Sequence, residues 1–392
     1  MAAPKLRFKE FDGDWIKSKL GIEAQFFQGE QVSLDDQCSE YAHGLIKFLR
    51  IENFTQKSKD FRYIRYTGSQ EKILGEQDIA IVRYGATAGF ICSGETGVIA
   101  NNLFKVSVDN KKINQKYLEL VLKSEKTFNY FQAEMSGGAM PALNFKIVGN
   151  LDITYSSIQE QTKIASFLSN VDEKISQLTQ KHQLLSQYKQ GMMQKLFSQQ
   201  LRFKADDGSE FGEWEEKELK EVAEINPKAK KLPANFIYID LESVEKGQLL
   251  LQKNIELQDA PSRAQRLLAK GDVLFQMVRP YQQNNYYFNL SGEYVASTGY
   301  AQIRTKLDSK FIYYALHEKT FLDEVMNRCT GTSYPAINSS DLSSIEMFVP
   351  CLEEQTKIAN FLSAIDQKIE VVAQQIEQVK TWKKGLLQQM FV

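Results

Sequence analysis

Two stretches of the chain carry a sustained apolar period of 3.5 residues. In the first, Ile164, Leu168, Val171, Ile175, Leu178, His182, Leu185, Lys189, Met192 and Leu196 alternate steps of four and three. In the second, Ile358, Leu362, Ile365, Ile369, Val372, Ile376, Val379, Lys383, Leu386 and Met390 do the same. A seam held over several heptads predicts a coiled-coil helix. Ser157-Ile-Gln-Glu160 predicts a capping box at the first entrance, the Ser oxygen and the Glu carboxylate both taking up backbone N–H groups. Pro350 stands at the second entrance, where its missing N–H costs nothing. Elsewhere the apolar runs are shorter. Asp78–Arg83 and Asp272–Arg279 read as strands introduced by turns containing Gly75 or Gly271, and Tyr117–Leu122 and Phe311–Leu316 start helical stretches.

The two seams belong to a duplication. Glu160-Gln-Thr-Lys-Ile-Ala-Ser-Phe-Leu-Ser169 returns as Glu354-Gln-Thr-Lys-Ile-Ala-Asn-Phe-Leu-Ser363, an offset of 354 − 160 = 194. The same offset relates Pro141-Ala-Leu-Asn144 to Pro335-Ala-Ile-Asn338. The entrances echo too: Leu6-Arg-Phe8 with Phe11-Asp-Gly-Asp-Trp15, and Leu201-Arg-Phe203 with Phe211-Gly-Glu-Trp214. A period this long marks a duplicated domain, since solenoid units run about 20 to 50 residues. The strands keep the offset at 272 − 78 = 194, but the arginines after them read as slipped to 279 − 83 = 196. Framework matches and loops diverge, as expected of one scaffold fitted to two targets.

The predicted organisation is a first globular segment at 1–156, a spacer helix at 157–201, a second globular segment at 202–350 and a C-terminal helix at 351–392. The expected fold class is α+β: two similar α/β domains joined by a pair of long antiparallel coiled-coil helices, with internal pseudo-two-fold symmetry. Folding the second helix back along the first satisfies both seams within one chain. A helix of about 38 residues spans roughly 57 Å. Phe167 and Phe361 lie one residue off the seam, and Tyr188 and Trp382 near its far end. They are candidates for docking partner chains.

At 392 residues, 43% hydrophobic and 25% charged, the composition is that of a globular protein. No apolar run approaches the roughly 20 residues of a membrane span, and the N-terminus lacks a signal-peptide core, so the expected location is the cytoplasm. Cys38, Cys92, Cys329 and Cys351 form no C-x-x-C pair, and three histidines are too dispersed for a metal site or triad. Gly-rich cofactor loops and G-x-S-x-G or H-E-x-x-H motifs are missing from the sequence, and Asn226-Pro-Lys lacks what an amino-methyltransferase motif needs. The chain reads as non-catalytic, without cofactor or metal of its own. A formal net charge of −1 argues against a free-standing nucleic-acid binder.

The globular segments do carry basic, aromatic and amide-rich loops. Lys57, Lys59, Arg62, Arg65 and Lys72 precede a turn containing Arg83, Tyr84 and Thr87. In the second half Lys230, Arg263, Arg266 and Lys270 precede Arg279, Tyr281, Gln282, Asn284 and Asn285. Arg pairs bidentately with guanine, and Gln or Asn with adenine, while Lys holds phosphates. Taken singly, each is also compatible with an ordinary solvated loop. Ser136-Gly-Gly-Ala-Met-Pro141 and Thr330-Gly-Thr-Ser-Tyr-Pro335 precede the helices in both copies, making Met140 and Tyr334 candidates for a surface shared with a partner.

The arrangement resembles the specificity subunit of type I restriction-modification systems. The resemblance covers essentially the whole chain and rests on four features. They are the 6–15 entrance, the Gly-x-x-Asp-Ile strand start at 75–79, the Ser-Gly-Gly-Ala-Met-Pro-Ala-Leu-Asn segment at 136–144, and above all the duplicated Glu-Gln-x-Lys-Ile-Ala-x-Phe-Leu helix start. It implies two target-recognition domains, each reading half of a split site in double-stranded DNA. It implies helices that act as spacer and as docking surface for two methyltransferase subunits, with restriction (translocase) subunits joining outside. S-adenosylmethionine, ATP and Mg would belong to those partners. A tandem protein-binding scaffold on a coiled-coil rod is the rival expectation.

Overall fold

The structure, a computed structural model, describes residues 4–135, 142–228 and 231–391. Its contacts divide into two compact units, Met1–Leu178 with Gln375–Val392, and Thr179–Gln374. Each unit therefore combines one globular head with one part of each long helix.

In unit one, a four-stranded antiparallel sheet runs in the order Ala24–Gln28, Leu103–Val108, Ile79–Val82, Ile91–Cys92. Ile79-Ala-Ile-Val82 is buried at every position, which is why it reads as an unbroken apolar run rather than an alternation. A second sheet has the order Arg62–Ile64, Ile46–Leu49, Gly97–Ile99, Ile73–Leu74, and its central pair is parallel. Helix Gln115–Leu122 is capped by the Asn114 side chain, which accepts from the Tyr117 N–H.

Unit two repeats the plan. One sheet runs Ala223–Ile225, Tyr300–Thr305, Val273–Gln276, Tyr286–Tyr287, and the other Lys253–Glu256, Asn235–Ile239, Tyr294–Ser297, Ala264–Leu267, again with a parallel central pair. Asp308 caps helix Ser309–Ala315 as Asn114 does in unit one, at the offset 308 − 114 = 194. The hairpin Val244–Glu245 with Gln248–Leu249 is an addition.

The long helices are Ile158–Phe197 and Leu352–Met390. In unit one, Ile164, Leu168 and Val171 from the start of the first share a core with Leu386 and Met390 from the end of the second. In unit two, Leu196 from the end of the first packs with Ile358, Leu362 and Ile365 from the start of the second. Within each unit the helices are thus antiparallel. The lysines in the seam are answered by acids. Lys383 pairs with Asp172 at 2.5 Å in unit one, and Lys189 with Asp366 at 2.6 Å in unit two.

The repeated Glu-Gln at each helix start has a role beyond capping. Ser157 does accept from the Glu160 N–H at 3.3 Å, but the Glu160 carboxylate turns away from the cap. It takes a two-pronged bond from Arg7, at 2.7 and 2.8 Å, and is 1% exposed. Glu354 is held likewise by Arg202 at 3.2 and 2.7 Å, and also by Trp214 Nε1 at 3.0 Å. Both arginines donate onward to a loop carbonyl, of Gly13 and Gly212, at 2.6 Å. Gln161 accepts from the Asn114 N–H and donates to the Ser156 and Lys112 carbonyls. Gln355 accepts from the Asp308 N–H and donates to the Pro350 carbonyl. The motif is a buried clamp joining head to helix. The Glu half of the expected capping box is therefore corrected.

Candidate nucleic-acid interface

In both heads a loop leaves an inner strand of the antiparallel sheet, Ile79–Val82 or Val273–Gln276, and is stitched to the segment ahead of the long helix. In unit one the Arg83 N–H donates to the Asn102 carbonyl and the Leu143 N–H to the Arg83 carbonyl, each at 2.8 Å. In unit two the Met277 N–H donates to the Gly299 carbonyl at 3.0 Å and the Ile337 N–H to the Met277 carbonyl at 3.1 Å. The bridge Tyr84 to Ala142 is matched by Val278 to Ala336. By backbone, Arg83 corresponds to Met277, and the offset stays 277 − 83 = 194. The slip expected at the arginines does not exist. Arg279 stands where unit one has Gly85, and both residues are left-handed, with φ 53 and φ 84.

The side chains around Arg83 come from three separated segments. Its guanidinium donates to Gln28 Oε1, lies 4.7 Å over the Tyr84 ring and 6.0 Å from the Phe145 ring. Gln28 donates to the Asn101 carbonyl, and Asn101 to Gln31 Oε1. The sheet order brings 28, 83 and 101 together, so this amide cluster carried no local signal. Tyr84 is 40% exposed, and Thr87 is exposed beside it.

The basic residues of unit one divide. Lys59 pairs with Glu95 and Lys72 with Glu30, both at 3.0 Å. Lys57 and Arg65 are exposed with no ion pair among the described residues, and Arg62 is half-buried on its strand. In unit two Arg263 is exposed. Arg266 is half-buried without an acid partner among the described residues, and that burial pulls its pKa down. Lys230 and Met140 lie outside the described residues.

In the 279–285 loop Tyr281 is 51% exposed, whereas Asn285 is 1% exposed. Asn285 Oδ1 accepts from the Gln276 N–H at 2.8 Å, and its Nδ2 faces His317 Nε2 at 3.4 Å. His317 Nδ1 lies 2.7 Å from the Tyr313 carbonyl and so donates there, leaving Nε2 as the acceptor. Burial holds this imidazole neutral, its pKa pushed down to about 4. Asn285 therefore supports the loop from within, which corrects its expected place on the reading surface. Gln282 Oε1 accepts from Gln276, and Asn284 Oδ1 from the Lys246 N–H. Gln276 and His317, which the sequence did not single out, are the base of this loop.

The docking candidates also separate. Phe167 is enclosed edge-on by Phe8 at 5.7 Å and Trp382 at 5.9 Å, and Phe361 meets Phe203 at 5.7 Å. These phenylalanines secure head to helix. Tyr188 and Trp382, each 51% exposed, remain as apolar surface. Tyr334 packs on the 279–285 loop instead, with the Arg279 guanidinium 4.3 Å over its ring. Among the described residues no group of three or more His, Cys, Asp or Glu could hold a metal ion, and no helix is long and apolar enough to cross a membrane.

A family model described as the type I restriction modification DNA specificity domain matches residues 24–187 and again 212–381. The chain belongs to that family and carries its domain twice. The MjaVIII specificity subunit of Methanocaldococcus jannaschii is 26% identical over 404 aligned positions, spanning 97% of this chain and 94% of that protein. The HindI specificity subunit of Haemophilus influenzae is 26% identical across 40% of this chain and 36% of its own length. Among solved structures, the type I restriction-modification S subunit of M. genitalium has a TM-score of 0.64 at 16% identity, covering 100% of this chain and 99% of that one. A chain from a study of complex assembly and conformational transition in a type I system has a TM-score of 0.57 at 17% identity, covering 97% and 99%. At such identities the structural likeness is one of fold.

Proposed function

We propose that this chain, as a type I specificity protein, recognises a bipartite site in double-stranded DNA, each head reading one half. It is the recognising subunit and is non-catalytic. The observation that carries the reading is the contrast between frameworks and tips. The two heads agree down to single backbone hydrogen bonds, yet where one has Arg83, Tyr84 and Gly85 the other has Met277, Val278 and Arg279. A scaffold with one task would have no reason to keep its framework and change the chemistry of its tips. Arg and amide side chains at the tips supply the donors and acceptors that base edges require. Lys57, Arg65 and Arg263, exposed and without an ion pair among the described residues, would hold phosphates and set register.

A net charge of −1 is too little positive charge to hold a duplex unaided. Two methyltransferase subunits docked along the helices, at Trp382 and Tyr188, would supply the rest, with restriction subunits outside them. S-adenosylmethionine, ATP and Mg would bind to those partners, and the assembly would work in the cytoplasm. The long helices would set the unread spacing. The family match removes the main support for a general protein-binding scaffold. Exchanging residues 5–150 for the corresponding segment of another family member tests the assignment. One half of the methylated sequence should change and the other stay. A change in both halves, or in neither, would refute independent heads.

A further inference from the structure

Arg279 occupies a place where the same fold elsewhere in the chain uses glycine. Its φ of 53 and ψ of 54 are left-handed, and its counterpart Gly85 has φ 84. Left-handed backbone crowds the Cβ of an L residue against the following carbonyl, so single glycines usually hold such positions. A second left-handed residue, Gln283 at φ 52, closes the same turn. Conformations of this kind persist only where their surroundings over-determine them.

Here they are over-determined. Gln276 accepts from the Asn284 N–H at 3.0 Å, donates to the Val278 carbonyl at 2.8 Å and to Gln282 at 2.9 Å, and its own N–H is taken by Asn285. His317 backs Asn285 from below. The Arg279 side chain receives no comparable structural employment. Its guanidinium lies 4.3 Å over the ring of Tyr334, which is 64% exposed, and it makes no ion pair among the described residues. Nε is enclosed without a partner among the described residues, which leaves the Nη end to bond. The position also faces outward in unit one, where a Cβ built on Gly85 would meet nothing within 4 Å. A guanidinium resting on a ring, its two Nη groups without a hydrogen-bond partner among the described residues, matches a planar pair of acceptors.

We propose that Arg279 reads one guanine in the half-site of unit two, its Nη groups donating to O6 and N7, with Tyr334 fixing the plane and Gln276 and His317 acting as positioning residues. This deepens the DNA-reading assignment and rests on it. Unit one has glycine at this position and reads its half without an equivalent contact.

The complex purified from its host is offered duplexes with randomised positions, and the enriched motif is sequenced. If the wild type enriches no motif, the DNA-reading assignment itself falls. A motif without guanine in the half-site that exchange of unit two alters overturns the proposal alone. With such a guanine present, Arg279→Lys keeps the charge and the backbone cost but loses the bidentate fork. Discrimination at that guanine should drop roughly five- to 140-fold with the other positions unchanged. Unchanged discrimination would make Arg279 a phosphate contact and overturn the proposal. Replacing the guanine by 7-deazaguanine should weaken the wild type and leave Arg279→Lys nearly unaffected, and additive losses count against the contact. Arg279→Gly and Arg279→Ala both lose the side chain, but only glycine relieves the backbone. Arg279→Gly should melt higher than Arg279→Ala, and the reverse order would refute the strained conformation. Gln276→Leu should relax the same base position only. Uniform loss across the motif would make Gln276 structural and remove the positioning part.

Discussion

Replacing Glu354 by Gln removes a charge from a side chain that is 0% exposed, while keeping its shape. The carboxylate accepts two bonds from Arg202 and one from Trp214 Nε1. Breaking a buried pair by removing one partner costs about 3–5 kcal/mol. Two features lower that figure. Arg202 is 23% exposed, so water reaches the stranded guanidinium, and the Gln carbonyl still accepts one bond. The expected loss is about 2–3 kcal/mol. Glu160→Gln breaks the same clamp in unit one, but Trp15 Nε1 has no partner among the described residues. One bond fewer is lost there, and the cost should be smaller by about 1 kcal/mol. For a unit of 374 − 179 + 1 = 196 residues, each kcal/mol moves Tm by about 2–4 °C. Calorimetry should therefore place Glu354→Gln roughly 4–12 °C below wild type, with Glu160→Gln between the two. Methionine at both Arg202 and Glu354 should recover much of the loss, since it strands no charge. No shift for Glu354→Gln would show that the clamp does not hold head to helix, and equal shifts for the two variants would show that the Trp214 bond adds nothing.

Acid should weaken the two units in different windows. His317 has a folded pKa of about 4, below its usual value, so the unfolded chain takes the proton first. Unit two's contribution is complete above pH ~6.5 and is lost towards pH 4, at up to roughly 1.4 kcal/mol per pH unit. In unit one, burial raises the Glu119 pKa, but bonds from Lys116, Lys123 and Ser93 outweigh it and hold it at about 2. That contribution is present above pH ~4.5 and disappears towards pH 2. Urea midpoints measured from pH 7 to 3 should show unit two failing first, and a His317→Gln variant that keeps the wild-type slope would contradict this. Four residues inserted after Gln200 lie beyond Phe197, where the first long helix ends, and leave the seam intact. If helical they add about 6 Å, close to two base pairs of DNA at ~3.4 Å each. Methylome sequencing should find both half-sites kept and the spacer lengthened, and an unaltered spacer would reduce the helices to a connector.

The long helices were legible because a coiled-coil seam is a local, periodic signal. Ile164, Leu168, Val171 and Leu178 are buried as their spacing demands. The duplicated framework was legible for a related reason: buried strands such as Ile79–Val82 and Val273–Gln276 tolerate little besides apolar residues, so both copies keep their pattern. The clamp was half visible. Arg7 and Arg202, Glu160 and Glu354 recur in both copies, but their pairing spans about 150 residues and no period links such distant partners.

The loops at the head tips were the least legible part. Arg83 and Arg279 look equivalent because both follow an apolar strand, and chemical identity invites alignment. The hydrogen bonds align the backbones instead, and put Arg279 on Gly85. Likewise Asn285 shows the amide of a base reader, yet its 1% exposure makes it an internal support. Amide side chains serve surface recognition and buried networks equally well, so composition alone cannot assign them. What separates the two uses is where the framework's obligations end. Gln276, Asn285 and His317 bond to one another beneath the loop, while the Nη donors of Arg279 have no partner among the described residues and lie on a ring at the surface. A fold that commits its buried amides this fully can vary the residues at the tip without disturbing the scaffold. That is the property a pair of heads specialised for two different half-sites needs.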